Sequence, residues 1–286
     1  MDRLNHHYST LGEFVAAAER EPLNALKSSR DTNSIAEKWT GCATFGDAVK
    51  LAREGWPEGR RNLMAAIAEA QAAPRISPAI TMDVAGAYPI AALAAAGDPC
   101  SMVDLSPVED RVRPIVRLVI QRGGSSAYSA QEFTNYGAAV LSYVEGLEGA
   151  GYRCEIVASF AADLTNLRHM LSVTVKRAEE PIEMDRLAYV LTHTAFFRRI
   201  AFAVKESTPG VAEALGSSYG HSRSPEAGVE TDPDQIIIPG VNIAKPGSNE
   251  LKTARAALEK LGPVIEEQLK NKGMNPPPLA FGGGEK

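Results

Sequence analysis

Cysteine is scarce here. The 286-residue chain has three, Cys42, Cys100 and Cys154, far apart and without CxxC spacing. That pattern speaks against a disulfide framework and against a structural zinc site; free thiols in a reducing compartment are the simpler reading. A basic excess is missing too. With 30 Lys and Arg against 35 Asp and Glu, the formal net charge is -5. This argues against a dominant polyanion-binding surface and leaves room only for a local basic patch. No run approaches the length of about 18 apolar residues that a membrane span needs, so no membrane association is expected. The Ala-rich stretch 90–96 is short and bounded by Pro89 and Gly97. Residues 1–8 are polar and hold no signal-peptide core, so the chain is expected in the cytoplasm.

Chemical signatures are equally thin. His6, His7, His169, His193 and His221 form no i,i+4 pair and no HExxH pattern, whereas zinc needs several converging ligands. GxGxxG and GxxxxGK[ST] are absent, which leaves nucleotide binding unsupported. Ser159 lacks a GxSxG elbow. Cys154 lies inside a strand pattern, as an inert core thiol would. Asp83, Asp98 and Asp104 form a loose acidic series, and Asp98 is explained by its Gly-Asp-Pro turn. No cofactor, no metal and no catalytic residue are expected.

What is present is an alternation of strand and helix patterns. Thr10 with Glu13, and Thr44 with Asp47, have capping-box spacing ahead of apolar stripes. Trp56-Pro57-Glu58-Gly59 reads as a turn before a helix over 60–72. Trp39 and Trp56 are expected to pin helix 44–54 onto the core. Residues 115–120 are apolar apart from Arg117, as in a strand covered on both faces. They run into Gln121, Gly123, Gly124, Ser125 and Ser126, then into a helix pattern over 130–150. Loops after such strands are where open α/β sheets place ligands, and successive backbone N–H groups there can cradle an anion. Strands follow at 154–160 and 171–175; the short link between them predicts an antiparallel pair. Residues 183–205 predict one long helix, 236–238 a strand and 249–270 the last helix. Phe196-Phe197-Arg198-Arg199 spread over more than one turn of that long helix, so no shared basic-aromatic face for nucleic acid is expected. The Phe side chains should enter the core while the Arg side chains snorkel to water. The basic clusters at Arg60-Arg61 and Arg111-Arg113 have acidic neighbours and read as solvated surface. Gly216 to Asp234 and Asn275 to Lys286 lack the apolar surface to fold alone.

The strand and helix order over 113–271 resembles a von Willebrand factor A-type domain. So do the helix over 133–148, the link Gly149-Ala150-Gly151-Tyr152-Arg153 and the strand over 154–159. The resemblance implies an α/β fold with an open, mostly parallel, Rossmann-like sheet and helices on both faces. An N-terminal mainly helical accessory segment with short strands, 1–112, would precede it, and a flexible tail, 272–286, would follow. In the metal-binding version of this family Asp-x-Ser-x-Ser follows the first strand. Gln121, Gly123 and Ser125 stand at those places here. A hard divalent cation wants charged oxygen donors, so the resemblance implies a scaffold without metal. Trp39-Thr40-Gly41, Phe45, Ala48, Leu51-Ala52 and Gly55-Trp56, with His193-Thr194-Ala195-Phe196-Phe197-Arg198-Arg199, are similar to an uncharacterised family encoded mainly by tailed bacteriophages. That implies a viral source, and a host-cytoplasm or virion location.

The expected function is a non-catalytic binding or assembly protein that meets a protein partner. The expected contact surface is Gln121, Gly123, Gly124, Ser125 and Ser126, with loops near 160–163 and 239–242. Two alternatives stand beside it. One is a nucleic-acid-associated protein. The other is an enzyme acting on a small anionic substrate at the same rim, with Asp163 or His169 in reach for proton transfer.

Overall fold

A computed structural model describes residues 2–23, 27–70, 81–85, 88–104, 114–125, 127–215, 218–222 and 235–274. In chain order the elements are β1 (Asp2–Tyr8), α1 (Leu11–Ala18), α2 (Ser34–Thr40), α3 (Phe45–Glu54), α4 (Pro57–Ala70), β2 (Thr81–Asp83), β3 (Tyr88–Pro89), α5 (Ala91–Ala95), β4 (Met102–Asp104), β5 (Ile115–Gln121), α6 (Ala130–Gly149), β6 (Arg153–Ser159), β7 (Ala162–Asp163) and β8 (Leu167–Lys176). Then come α7 (Met184–Thr192), a π-helical stretch (Phe196–Ala201), α8 (Phe202–Ser207), α9 (Val211–Ala214), β9 (His221–Ser222), β10 (Gln235–Ile238) and α10 (Ala254–Asn271).

Local chemistry sets many of these boundaries. Thr44 with Asp47 and Ser129 with Glu132 form complete capping boxes at the starts of α3 and α6; each is worth about 1 kcal/mol. At α1, Thr10 accepts from Glu13 N, while the Glu13 carboxylate reaches back to Ser9 N. α4 begins at Pro57, so 56–59 is not a separate turn. Proline suits the first helical position because its missing N–H would be unpaired there anyway.

Seven strands make the main sheet, in the order β10-β5-β6-β8-β7-β9, with β1 on the other edge of β8. β10–β5, β5–β6 and β1–β8 are parallel. β6–β8, β7–β8 and β7–β9 are antiparallel. The sheet is therefore mixed, not mostly parallel. The second strand of the chain's core doubles back as its short link requires, and β7 and β9 extend the antiparallel side. β2, β4 and β3 form a separate three-stranded sheet.

The helices do not flank both faces among the described residues. Val116, Leu118 and Ile120 of β5, Ile156 and Ala158 of β6, Leu171 and Val173 of β8, and Ile236 and Ile238 of β10 share one core. The buried side chains of α1, α3, α4, α6, α7 and α10 belong to that same core. The alternate positions point the other way. There Val119, Val157 and Ile237 make a small separate cluster, beside the Arg117–Glu155 ion pair at 3.0 Å and the His7–Ser172 hydrogen bond. Period-two alternation has put apolar groups on one face and mainly polar ones on the other. The N-terminus is a strand before it is a helix: β1 runs parallel to β8 from Asp2 to Tyr8. At the opposite edge Gln268 of α10 pairs with both backbone groups of Ile237, accepting from its N and donating to its O at 2.8 Å each. That blunts the exposed edge of β10.

The 183–205 stretch is not one helix. α7 stops at Thr192; His193 is extended (φ -83°, ψ 129°), and its Nδ1 accepts from Ala195 N. Gly41, the left-handed cap of α2 at φ 79°, fills the gap. A Cβ there would lie 2.9 Å from Thr194 Oγ1 and 3.1 Å from His193 Cε1. Trp56 packs edge-on against His193, ring centroids 4.5 Å apart. Beyond the break, Arg198 and Arg199 are buried and do not snorkel to water. Arg199 donates to Thr40 Oγ1 and to the carbonyls of Ser29, Asp31, Cys42 and Ala43. Every N–H of its guanidinium is met, which is why burial there is tolerated. Arg111, Arg113, the 112/113 boundary, the tail from Asn275 and most of 216–234 lie outside the described residues.

Candidate functional site

The C-terminal ends of β5, β6 and β10 open on one rim. A pocket of about 440 Å³ lies there, at the place where ligands bind in open α/β sheets. Its floor and walls come from loop residues Gly123, Gly124 and Ser125 and from Phe160 to Ala162. The π-helical stretch and α8 supply Phe197, Arg198, Phe202 and Lys205, and Trp39 and Tyr219 complete it. The aromatic walls are already packed against one another. Phe160 and Phe197 stack in parallel, centroids 6.2 Å apart; Phe197 meets Phe202 edge-on at 4.8 Å; Phe202 stacks on Tyr219 at 3.6 Å.

Two cations face this surface. The Arg198 guanidinium lies 5.2 Å over the Trp39 ring. It donates to the carbonyls of Trp39 and Ser125, so it ties α2 to the loop after β5. Burial lowers its pKa to about 10. Lys205 is 2% exposed, and among the described residues it has no hydrogen-bond or ion-pair partner. Burial alone pulls its ammonium down to about 8. No Asp or Glu is among the described lining residues. The next residue, Glu206, faces elsewhere: it accepts from Ser29 N, Ser29 Oγ and the Tyr219 hydroxyl. Its carboxyl is raised by burial, with those hydrogen bonds pulling the other way.

The residues expected from sequence divide. Gly123, Gly124 and Ser125 line the pocket. Bare backbone is needed at the first two, since a Cβ on Gly123 would lie 2.2 Å from Ser222 Oγ and one on Gly124 2.8 Å from Val241 Cγ1. Gln121 is buried beneath the rim. Its Nε2 donates to Ala161 O and to Ser222 Oγ, so the amide holds the rim together and offers no charged oxygen. The residues at this place do not fit a divalent cation. Ser126 lies outside the described residues. Asp163 pairs with Arg168 at 3.2 Å. His169 is buried, and its Nε2 shares a hydrogen bond with His6 Nδ1 at 3.2 Å. Burial first, then Lys205 and His6, lower its pKa to about 3. Neither Asp163 nor His169 lines the pocket. Sequence reasoning missed Trp39, Phe202, Lys205 and Tyr219. One signal was available: Lys205 closes the apolar run Ile200-Ala201-Phe202-Ala203-Val204, where a lysine has no surface to reach.

Among the described residues no group of His, Cys, Asp and Glu could hold a metal ion, and no helix is long and apolar enough to cross a membrane. One family, described as Domain of unknown function (DUF7192), matches residues 2–273. No curated protein and no solved structure matches the chain.

Proposed function

The chain belongs to the family Domain of unknown function (DUF7192), and from its rim pocket we propose a non-catalytic binding protein for a small anionic molecule with a flat aromatic part. One observation carries this: Lys205 is withdrawn from water with no counter-charge among the described residues. A buried charge is costly until something pairs with it. A ligand carboxylate or phosphate would supply the missing partner, and a charge-assisted hydrogen bond of that kind is strong. The aromatic rings around it favour a flat, apolar body that can stack. The pocket is of a size that holds small molecules, and its lining mixes aromatic rings with polar groups that could fix an orientation.

The sequence resemblances support a wider proposal, in which a phage-encoded, metal-free A-type scaffold acts in assembly or binding. Its surface around Gly123 to Ser125 would meet a protein partner once the pocket is filled. The pocket is tested by calorimetric titration of aromatic carboxylates and aryl phosphates against their uncharged amides. Binding of the acids with little for the amides is expected. Equal affinity for both, or none for either, overturns the assignment.

A further inference from the structure

We propose that Lys205 captures its ligand covalently, forming an imine with an aldehyde or ketone carbonyl on the bound aromatic acid. This rests on the pocket being the ligand site proposed above. A second buried lysine provides the internal contrast. Lys176 is 3% exposed, but its Nζ donates to Cys154 O and Arg177 O and sits 2.7 Å from the Glu148 carboxylate. That site meets its Nζ with two carbonyls and a carboxylate. Lys205 has no such acceptor among the described residues and opens onto an aromatic pocket whose other strong cation is Arg198. Withdrawal from water is one of the conditions that turn a lysine into a nucleophile. Burial holds its pKa at about 8, so far more of it is neutral amine near pH 7 than of a lysine in water.

The step balances without an oxidant or reductant. The Nζ lone pair forms the C–N bond as the carbonyl π bond breaks. Both amine protons then leave with the carbonyl oxygen as water, and C=N remains. An acid without a carbonyl group pairs its carboxylate with Lys205; one that carries a carbonyl would turn that group to Lys205 and its carboxylate toward Arg198, the other strong cation of the lining.

The test uses the full chain with para-carboxybenzaldehyde as probe, cyanoborohydride to fix any imine, and peptide mass spectrometry to place it. Lys205 should carry the adduct at least about tenfold above Lys176 and the exposed lysines. Labelling should rise with pH through about 8, Lys205→Arg should abolish it, and Lys176→Arg should label as the wild type does. Because Lys205→Arg need not fold, benzoate binding to the wild type is measured alongside. Labelling that only follows surface exposure, or none at Lys205 in a protein that binds benzoate, overturns covalent capture and leaves the binding site standing. Neither labelling nor benzoate binding overturns both.

Discussion

Arg199 and Lys205 lie on the same helical run, both almost fully withdrawn from water, and their surroundings are opposite. Arg199 is answered at every N–H by the backbone around Ser29 and Cys42 and by Thr40. It fastens the loops flanking α2 to the core. Lys205 is answered by nothing among the described residues and faces a pocket. A satisfied buried cation is architecture; an unsatisfied one, held beside a cavity, is a place for something to bind. Depth does not separate them. The difference lies in whether the surrounding backbone turns its carbonyls inward.

Each of these readings has a stability signature. Arg199→Met should have the largest effect, a loss of at least about 3 kcal/mol in denaturant unfolding, because five acceptors lose their donor in a dry site. Lys205→Met should go the other way and raise stability by about 1–3 kcal/mol, since it replaces an unpaired charge with an apolar chain of similar volume. The same variant should lose about tenfold or more in affinity for aromatic acids, the value of one charged hydrogen bond. If it destabilises as Arg199→Met does, the contrast between the two cations is gone.

Acid should weaken the fold on the Lys205 side and at the helix break together. Burial lowers His169 to about 3 and His193 to about 4, from an ordinary 6.5. Both are neutral when folded, so the stability they contribute is present above pH 6.5. It is lost as pH falls through that value toward the folded pKa values, at up to about 1.4 kcal/mol per pH unit for each. A flat stability profile between pH 6.5 and 4.5 would show that these rings are not held neutral. The smallest effect belongs to the surface: Arg255→Ala, which removes an exposed i,i+4 pair with Glu259, should change unfolding by less than about 0.5 kcal/mol.

The elements with the strongest patterns were readable from the chain alone. β5 is a near-continuous apolar run, α6 has its capping box and stripe, and the short link after β6 forces the antiparallel return of β8. The rim loop was readable for the same reason, because a strand ended in Gly and Ser. β1 was not, since Asp-Arg-Leu-Asn-His-His-Tyr is polar and becomes a strand only when β8 offers it a partner edge. The burial of Arg198 and Arg199 was not readable either. Their acceptors are backbone carbonyls far away in sequence, and a carbonyl leaves no mark in the residue letters. Lys205 fell between the two. Its place at the end of an apolar run marked it, but the absence of a partner is a property of the folded surroundings.

The most direct measurement is the titration of the Lys205 side chain, followed by NMR at its ε carbon, in the free protein and with benzoate bound. A midpoint near 8 in the free protein, moving upward when the acid binds, is the behaviour of an ammonium that lacked a counter-charge and has acquired one. A midpoint at the value of a lysine in water, or one that benzoate leaves unmoved, would contradict the assignment of this pocket.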